Sequence, residues 1–177
     1  MKTGRVARCR KTAAKIRRVA ETTRIRDYQA GDAPEIARLF YETIRSVNRA
    51  DYSDEQIEAW APGVPDLEEW HARMAGRRTL VAEEGGEVVG FAELEGDGHL
   101  DMLYLRKDAV CRGVGRMLYR TVEREARSLG LGQIFTEASI TARPFFERHR
   151  FRVVREQTVT VRGVPMTNFA MEKPLVR

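Results

Sequence analysis

Between Ala33 and Val47 the apolar side chains Ile36, Leu39, Phe40, Ile44 and Val47 recur at the three-and-four spacing of one helical face. Gly31-Asp32 precedes them, and Asp32 with Glu35 three residues later reads as a capping box. The same signature returns as Ser53 with Gln56 and as Asp66 with Glu69, ahead of Ile57 and Trp60 and of Leu67, Trp70 and Met74. Pro62-Gly63-Val64-Pro65 separates these two segments. From Arg78 the period shortens to that of strands, predicting Thr79 to Glu83, Val88 to Glu95 and His99 to Leu105 as a meander. Its turns are Glu84-Gly85-Gly86-Glu87 and Gly96-Asp97-Gly98. Val114 to Ser128 returns to helical spacing, with Met117, Leu118, Val122 and Ala126 inward and Leu129-Gly130 as the stop.

Ile134 to Ala138 reads as a further strand, and Pro144 as the first turn of a short helix carrying Phe145 and Phe146. Phe151 to Val161 and Met166 to Met171 form a hairpin around Arg162-Gly163. With a short first strand at Ile25 to Tyr28, the order is β-α-α-β-β-β-α-β-α-β-β. This predicts an α/β fold with one mixed central sheet of six to seven strands and about four helices.

A chain of 177 residues suits a single domain, taken here as 24–177 after an extension at 1–23. Cys9 and Cys111 belong to no C-x-x-C pair, which argues against a disulfide scaffold or a zinc site and for a reducing, cytoplasmic setting. The net charge of +5 is uneven. Residues 1–24 hold nine Lys and Arg against Glu21 alone, so the rest of the chain is net acidic and suits a cationic acceptor. Contact with nucleic acid is expected only through that basic extension, which lacks interleaved aromatics for base stacking. There is no signal-type apolar segment and no apolar run near the ~18 residues of a membrane span.

The candidate chemistry lies at Arg112-Gly113-Val114-Gly115-Arg116, where a strand gives way to a helix. A diphosphate needs several converging backbone N–H groups, and a helix N-terminus supplies them with the positive end of its dipole. Gly113 and Gly115 allow close approach, while Arg112 and Arg116 offer charge. Leu118 stands where a Rossmann fingerprint needs its third glycine, and the G-K-[ST] of a Walker loop is absent.

In this register Val110-Cys111-Arg112-Gly113-Val114-Gly115 resembles motif A of the GNAT superfamily, [QR]-x-x-G-x-[GA], with Val110 in place of Gln or Arg. Ala138 to Phe151 resembles its motif B. Leu39 to Thr43, Asp51-Tyr52-Ser53, Ala59 to Pro62 and Met171 to Pro174 are similar to the YafP-like branch of bacterial acetyltransferases. The resemblance runs from about Arg24 to Pro174. It implies acetyl-CoA as acyl donor, no metal, and N-acetylation of a small-molecule or peptide amine by a monomer or homodimer. A non-catalytic acyl-CoA-binding or sensing module is the alternative.

The resemblance also implies roles. The Leu103 N–H would polarise the thioester carbonyl and Leu105 would hold the pantetheine arm. Val110, Cys111, Arg112, Gly113, Val114, Gly115 and Arg116 would surround the phosphates, with Ser139 and Phe146 nearer the thiol. His99 takes the position of a catalytic Glu found in some members, and Asp101, two residues on, shares its expected face. Phe146 stands where the usual general acid is Tyr. Tyr41, Asp51, Tyr52, Trp60 and Asn168 are the expected acceptor contacts, and Tyr104 is expected to pack on the face opposite Asp101.

Overall fold

The computed structural model describes residues 23–175. The expected extension therefore lies, Thr23 aside, outside the described residues. Four strands, β1 (Arg24–Asp27), β2 (Arg78–Glu84), β3 (Glu87–Leu94) and β4 (Leu100–Leu105), pair antiparallel in sequence order. A second sheet holds β5 (Gln133–Ser139), β6 (Arg152–Val161) and β7 (Val164–Pro174) in the order β5-β7-β6. The helices are α1 (Ala33–Ser46), α2 (Asp54–Trp60), α3 (Leu67–Ala75), α4 (Val114–Ser128) and α5 (Arg143–Arg148). The seven strands thus divide into sheets of four and three, and there is one α-helix more than the sequence count among the described residues. None of these helices is long and apolar enough to cross a membrane.

Both faces of the first sheet are covered. Leu118, Tyr119, Val122 and Ala126 of α4 pack with Leu80, Ala82, Val89 and Ala92 and continue to Ile134, Ala138 and Met171 of the second sheet. On the opposite face Ile36, Ala37 and Leu39 of α1 and Trp70 and Met74 of α3 meet Val81, Val88 and Phe91. Alternate residues of β2 and β3 thus enter different cores, which is why these strands read as unbroken apolar runs. A third cluster joins Ile44, Tyr52, Ile57 and Ala61 to Met166 of β7.

Local chemistry sets the helix entries. Ser53 and Gln56 form the expected box, with Gln56 N–H donating to Ser53 Oγ at 3.2 Å and Ser53 N–H donating to Gln56 Oε1 at 3.0 Å. Asp66 caps α3 by accepting from the Glu68 and Glu69 amides. The Asp32–Glu35 box does not form. Asp32 instead accepts from the Gln29 amide at 2.7 Å and from both terminal nitrogens of Arg26, while Glu35 accepts the Val88 amide at 2.9 Å. Two of the three hairpin turns place two consecutive residues at positive φ, Gly85-Gly86 at 61° and 86° and Arg162-Gly163 at 48° and 82°, matching the right-handed strand twist.

Tyr52 fastens the third cluster to the second sheet. Its buried hydroxyl donates to the Thr167 carbonyl at 2.8 Å and accepts the Ile140 amide at 2.9 Å. A second polar brace lies under α4, where Lys173 Nζ donates to Tyr119 Oη at 2.9 Å and to Glu123 Oε2 at 2.7 Å. Burial pushes the Glu123 carboxyl up, but hydrogen bonds from Lys173 and Arg127 outweigh it and hold the group at about 2.

Two outcomes follow for stability. Tyr52→Phe leaves the Ile140 amide without its acceptor and is expected to cost about 1–3 kcal/mol, read as a lower denaturant midpoint at unchanged slope. Because the Glu123 carboxyl is depressed from its ordinary 4.5, its stabilisation is complete above that value and is lost as pH falls through about 2. The destabilisation caused by Glu123→Gln should therefore be largest above pH 4.5 and close toward pH 2, measured by denaturation across that range.

Candidate active site

The two sheets touch through their strands at one parallel bridge, His99 with Phe135, where the Phe135 amide donates to the Gly98 carbonyl at 3.1 Å. Gly98 is at φ 98°, and a Cβ there would stand 2.5 Å from the Gln133 carbonyl oxygen, so the close approach requires glycine. Beyond this point β4 stays with β3 and β5 with β7, and their other edges face each other unpaired. The Arg106 amide donates back to Val89 at 2.9 Å, which by the alternation of an antiparallel ladder turns the Leu103 and Leu105 backbone to the open edge. The Leu105 carbonyl on that edge accepts Thr43 Oγ1 from α1 at 2.8 Å.

The open edge leads to the loop before α4. Ala109 is fully buried, Cys111 and Gly113 take φ of 62° and 101°, and the first intrahelical bond runs from the Met117 amide to Gly113 at 3.1 Å. Amides Gly113 to Arg116 thus have no acceptor within the helix. No side chain caps this end, and its first turn holds no acidic residue. Gly115 is buried under Leu105 and Phe145, and a Cβ there would lie 3.1 Å from the one and 3.3 Å from the other. The result is a donor-rich cradle continuous with the unpaired β4 edge, which is the polarity and shape that a diphosphate with an extended arm requires.

Several expected contacts fall elsewhere. Arg112 does not face the cradle: its guanidinium pairs with Glu84 at 2.9 Å and ties the loop to the end of β2. Arg116 stays exposed on the first turn of α4. Cys111 lies exposed in the loop at φ 62°, and the other cysteine, Cys9, lies outside the described residues. Phe146 is 3% exposed and packs on Phe145 and Phe151 at ring distances of 5.3 and 5.1 Å, so it belongs to the core rather than to the open edge. Phe145, not Phe146, lies over the cradle glycine.

His99 and Asp101 are not brought together. The His99 ring stacks on Phe135 at 5.0 Å and its Nε2 meets Glu137 Oε2 at 2.6 Å. A bulge pairs Glu93 with Met102 and Leu94 with Leu100, leaving Asp101 unopposed. Its carboxylate joins Arg73 and, at 2.9 Å, Arg77. Glu93, fully buried, binds the same two guanidinium groups, and Glu95 pairs with Arg77 at 2.8 Å. Glu93, Glu95 and Asp101 converge closely enough to suit a cation, but Arg73 and Arg77 already supply the counter-charge. The bulge also puts Asp101 on the α3 side with Tyr104, which stacks on Phe91 at 5.7 Å instead of facing away from Asp101. Burial, with Asp101 nearby, raises the Tyr104 hydroxyl above its ordinary range and keeps it a phenol.

On the acceptor side, Asp51 Oδ2 accepts Thr141 Oγ1 at 2.7 Å, and Trp60 meets the Tyr52 ring edge-on at 5.3 Å. Tyr52 itself is spent on its two backbone bonds, so it braces this wall and is withdrawn as an acceptor contact. Ser139 and Asn168 are opposite one another across β5 and β7, and Ser139 Oγ accepts the Ala142 amide at 3.0 Å. Asn168 Oδ1 is buried with no hydrogen-bond partner among the described residues. Tyr41 lies apart from these, beside a depression of about 450 Å³ lined also by Glu42, Thr43, Ser46, Arg106 and Lys107. Thr43, Phe145 and Glu137 were missed by the sequence reading. Only Thr43 leaves a signal there, as a polar residue on the apolar face of α1.

Known proteins share this fold. The profile of the acetyltransferase (GNAT) domain matches residues 48–173. The chain is 34% identical over 147 residues to the uncharacterized N-acetyltransferase YafP of Escherichia coli, covering 83% of this chain and 93% of YafP. A crystal structure of a GCN5-related N-acetyltransferase from Rhodopseudomonas palustris superposes with a TM-score of 0.83 at 37% identity, over 87% of this chain and 96% of that one. The PaiA N-acetyltransferase of Thermoplasma acidophilum, solved in complex with coenzyme A, shares the fold at a TM-score of 0.73 and 20% identity, over 87% and 99% of the two chains. With its splayed strands and its uncapped helix N-terminus, the chain belongs to the GNAT family of acetyltransferases.

Proposed function

We propose that the protein transfers the acetyl group of acetyl-CoA to a primary amine by direct attack within a ternary complex. The observation that carries this reading is the unpaired β4 edge running into the uncapped N-terminus of α4. Amides Gly113 to Arg116 hold the pyrophosphate, and Val110, Cys111 and Val114 shape the loop around it. The Leu105 backbone aligns the pantetheine arm. The Leu103 N–H is aimed at the thioester carbonyl, where a preorganised donor stabilises the developing oxyanion by about 3 kcal/mol.

The attacking amine must be neutral. His99 takes its proton in this reading, with Glu137 holding the ring, while Asp101 belongs to the arginine network. The departing thiol ionises near 8.5, so it leaves without a dedicated acid at Phe146. Asp51, Trp60, Ser139 and Asn168 line the approach of the amine, which is a small molecule or a peptide end. The protein works in the cytoplasm as a monomer or homodimer. The apolar burial of Phe146 favours a second reading, a module that binds acyl-CoA without turnover.

Acetyl-CoA is expected to raise the melting temperature of the wild type through binding linkage. Gly113→Glu, which adds a side chain at φ 101° and a negative charge to the cradle, should abolish that shift relative to its own unliganded state. Thiol release should appear with one or more of polyamines, aminoglycosides, amino acids and peptide N-termini; stabilisation without release on any of them selects the second reading. With an acceptor in hand, His99→Ala should lower kcat/KM by about a hundredfold and Asp101→Asn by much less. A loss below tenfold for His99→Ala would remove His99 from the mechanism.

A further inference from the structure

The outer strand of each sheet leaves one side unpaired among the described residues, and the two strands guard that side differently. In the first sheet the outer strand β1 is four residues long, and three of them, Arg24, Arg26 and Asp27, are charged. A short, charged edge resists pairing with another chain. In the second sheet the outer strand is β6, ten residues long and paired with β7 alone. Its first half is guarded in a similar way. Arg152, Arg155 and Glu156 are exposed and charged, and a bulge between Val153 and Arg155 leaves Val154 without a cross-strand partner.

The second half of β6 carries no such guard. Gln157-Thr158-Val159-Thr160-Val161 holds no charge, proline, glycine or bulge, and every residue after Gln157 is β-branched. Val159 and Val161 turn to the third core cluster, while Thr158 and Thr160 stand exposed on the other face. Alternate N–H and C=O groups of this run point away from β7. Opposite charges flank it, Glu156 before and Arg162 after. Neither has an ion-pair partner among the described residues; the Arg162 guanidinium rests on a carbonyl, that of Ala59, at 2.7 Å.

We infer that this run is the contact surface for a second copy of the chain, joined antiparallel about a two-fold axis at Val159. The run is centred on that residue, so the pairing matches the run to itself. Val159 meets Val159 of the second copy, Thr158 meets Thr160, and Gln157 meets Val161. Directly opposite residues in an antiparallel pair share a face, so the threonines line one face and the valines, with Gln157, the other. The same register carries Glu156 across from Arg162 of the second copy, twice by symmetry. That charge complementarity selects a copy of this chain over an unrelated strand. Three strands from each chain then make one six-stranded sheet, β5-β7-β6 continuing into β6-β7-β5. The assembly closes as a dimer, because the remaining edges are the charged β1 and the open cleft between β4 and β5. It decides between the monomer and the homodimer named above and is independent of the acyl donor.

The test is sedimentation equilibrium of the full chain from about 1 to about 200 µM, on the wild type and on two double variants at the exposed threonines. The wild type should approach twice the 20.2 kDa of the chain at the upper end. Thr158→Lys with Thr160→Lys sets lysine against lysine at both threonine pairs and should weaken association by about tenfold. Thr158→Lys with Thr160→Glu sets lysine against glutamate at both pairs and should return the dimer, less so at high salt. A wild type that stays at 20.2 kDa throughout overturns the proposal. So does a dimer that the lysine pair leaves intact, or a lysine–glutamate variant as dissociated as the lysine pair. None of these outcomes bears on acetyl-CoA binding, which the melting shift reads separately.

Discussion

The site depends on a single point of contact between two sheets that otherwise separate. At Gly98 the chain passes so close to the Gln133 carbonyl that no side chain fits, and the Phe135 amide closes the bridge at His99, the only one between the two sheets among the described residues. Everything that makes the molecule an acyltransferase scaffold lies downstream of that junction. Because the strands diverge there, a full row of backbone groups on β4 is left without a partner strand, an arrangement that a protein interior does not tolerate unless something else completes it. Thr43 satisfies one carbonyl of that row, and the rest of it remains a donor edge leading to the helix N-terminus.

The packing around the junction keeps it open. Helix α4 fills the space behind both sheets, burying Leu118, Tyr119 and Val122 against residues of each, so the sheets are held at a fixed separation from one side. From the other side α1 and α3 cover the first sheet, and Tyr52 carries this layer across to β5 and β7. The Arg73, Arg77, Glu93, Glu95 and Asp101 network secures α3 to the strands at the bulge. Such a network specifies geometry more than it adds stability, since its desolvation cost offsets much of the attraction.

Most of the fold was legible because periodicity reports burial directly. The α4 boundaries, the hairpin turns and the Ser53 and Asp66 caps were all recoverable from spacing, and the cradle was recoverable from two glycines at a strand-to-helix junction. What was not legible depends on a register interruption or on charge partners distant in sequence. Counting by two along β4 assigned Asp101 and Tyr104 to opposite faces, and a one-residue bulge puts them on the same one. Arg112 looked like a phosphate ligand until Glu84, 28 residues away, claimed it. The Asp32 pattern was correct as a local motif, but Arg26 competes for the carboxylate that would have capped the helix. The backbone donors themselves leave no trace in residue identity, so Val110 and Phe146 can depart from the family pattern without altering the edge they sit beside.

The hairpin of β6 and β7 is fastened to the α2 side by few bonds: Arg162 Nη1 to the Ala59 carbonyl at 2.7 Å, Gln56 Nε2 to the Pro165 carbonyl at 2.8 Å, and Tyr52 to Thr167. None of these touches the cradle or the unpaired edge. The molecule is in this sense two modules sharing one junction, a donor module written in backbone and an acceptor module written in side chains. Grafting a foreign turn at Arg162-Gly163 and a foreign α2 loop, with the β7 residues that pair with β5 and brace α4 kept, would thus exchange the acceptor module as a cassette, a route to new acceptor preferences with the donor half inherited intact.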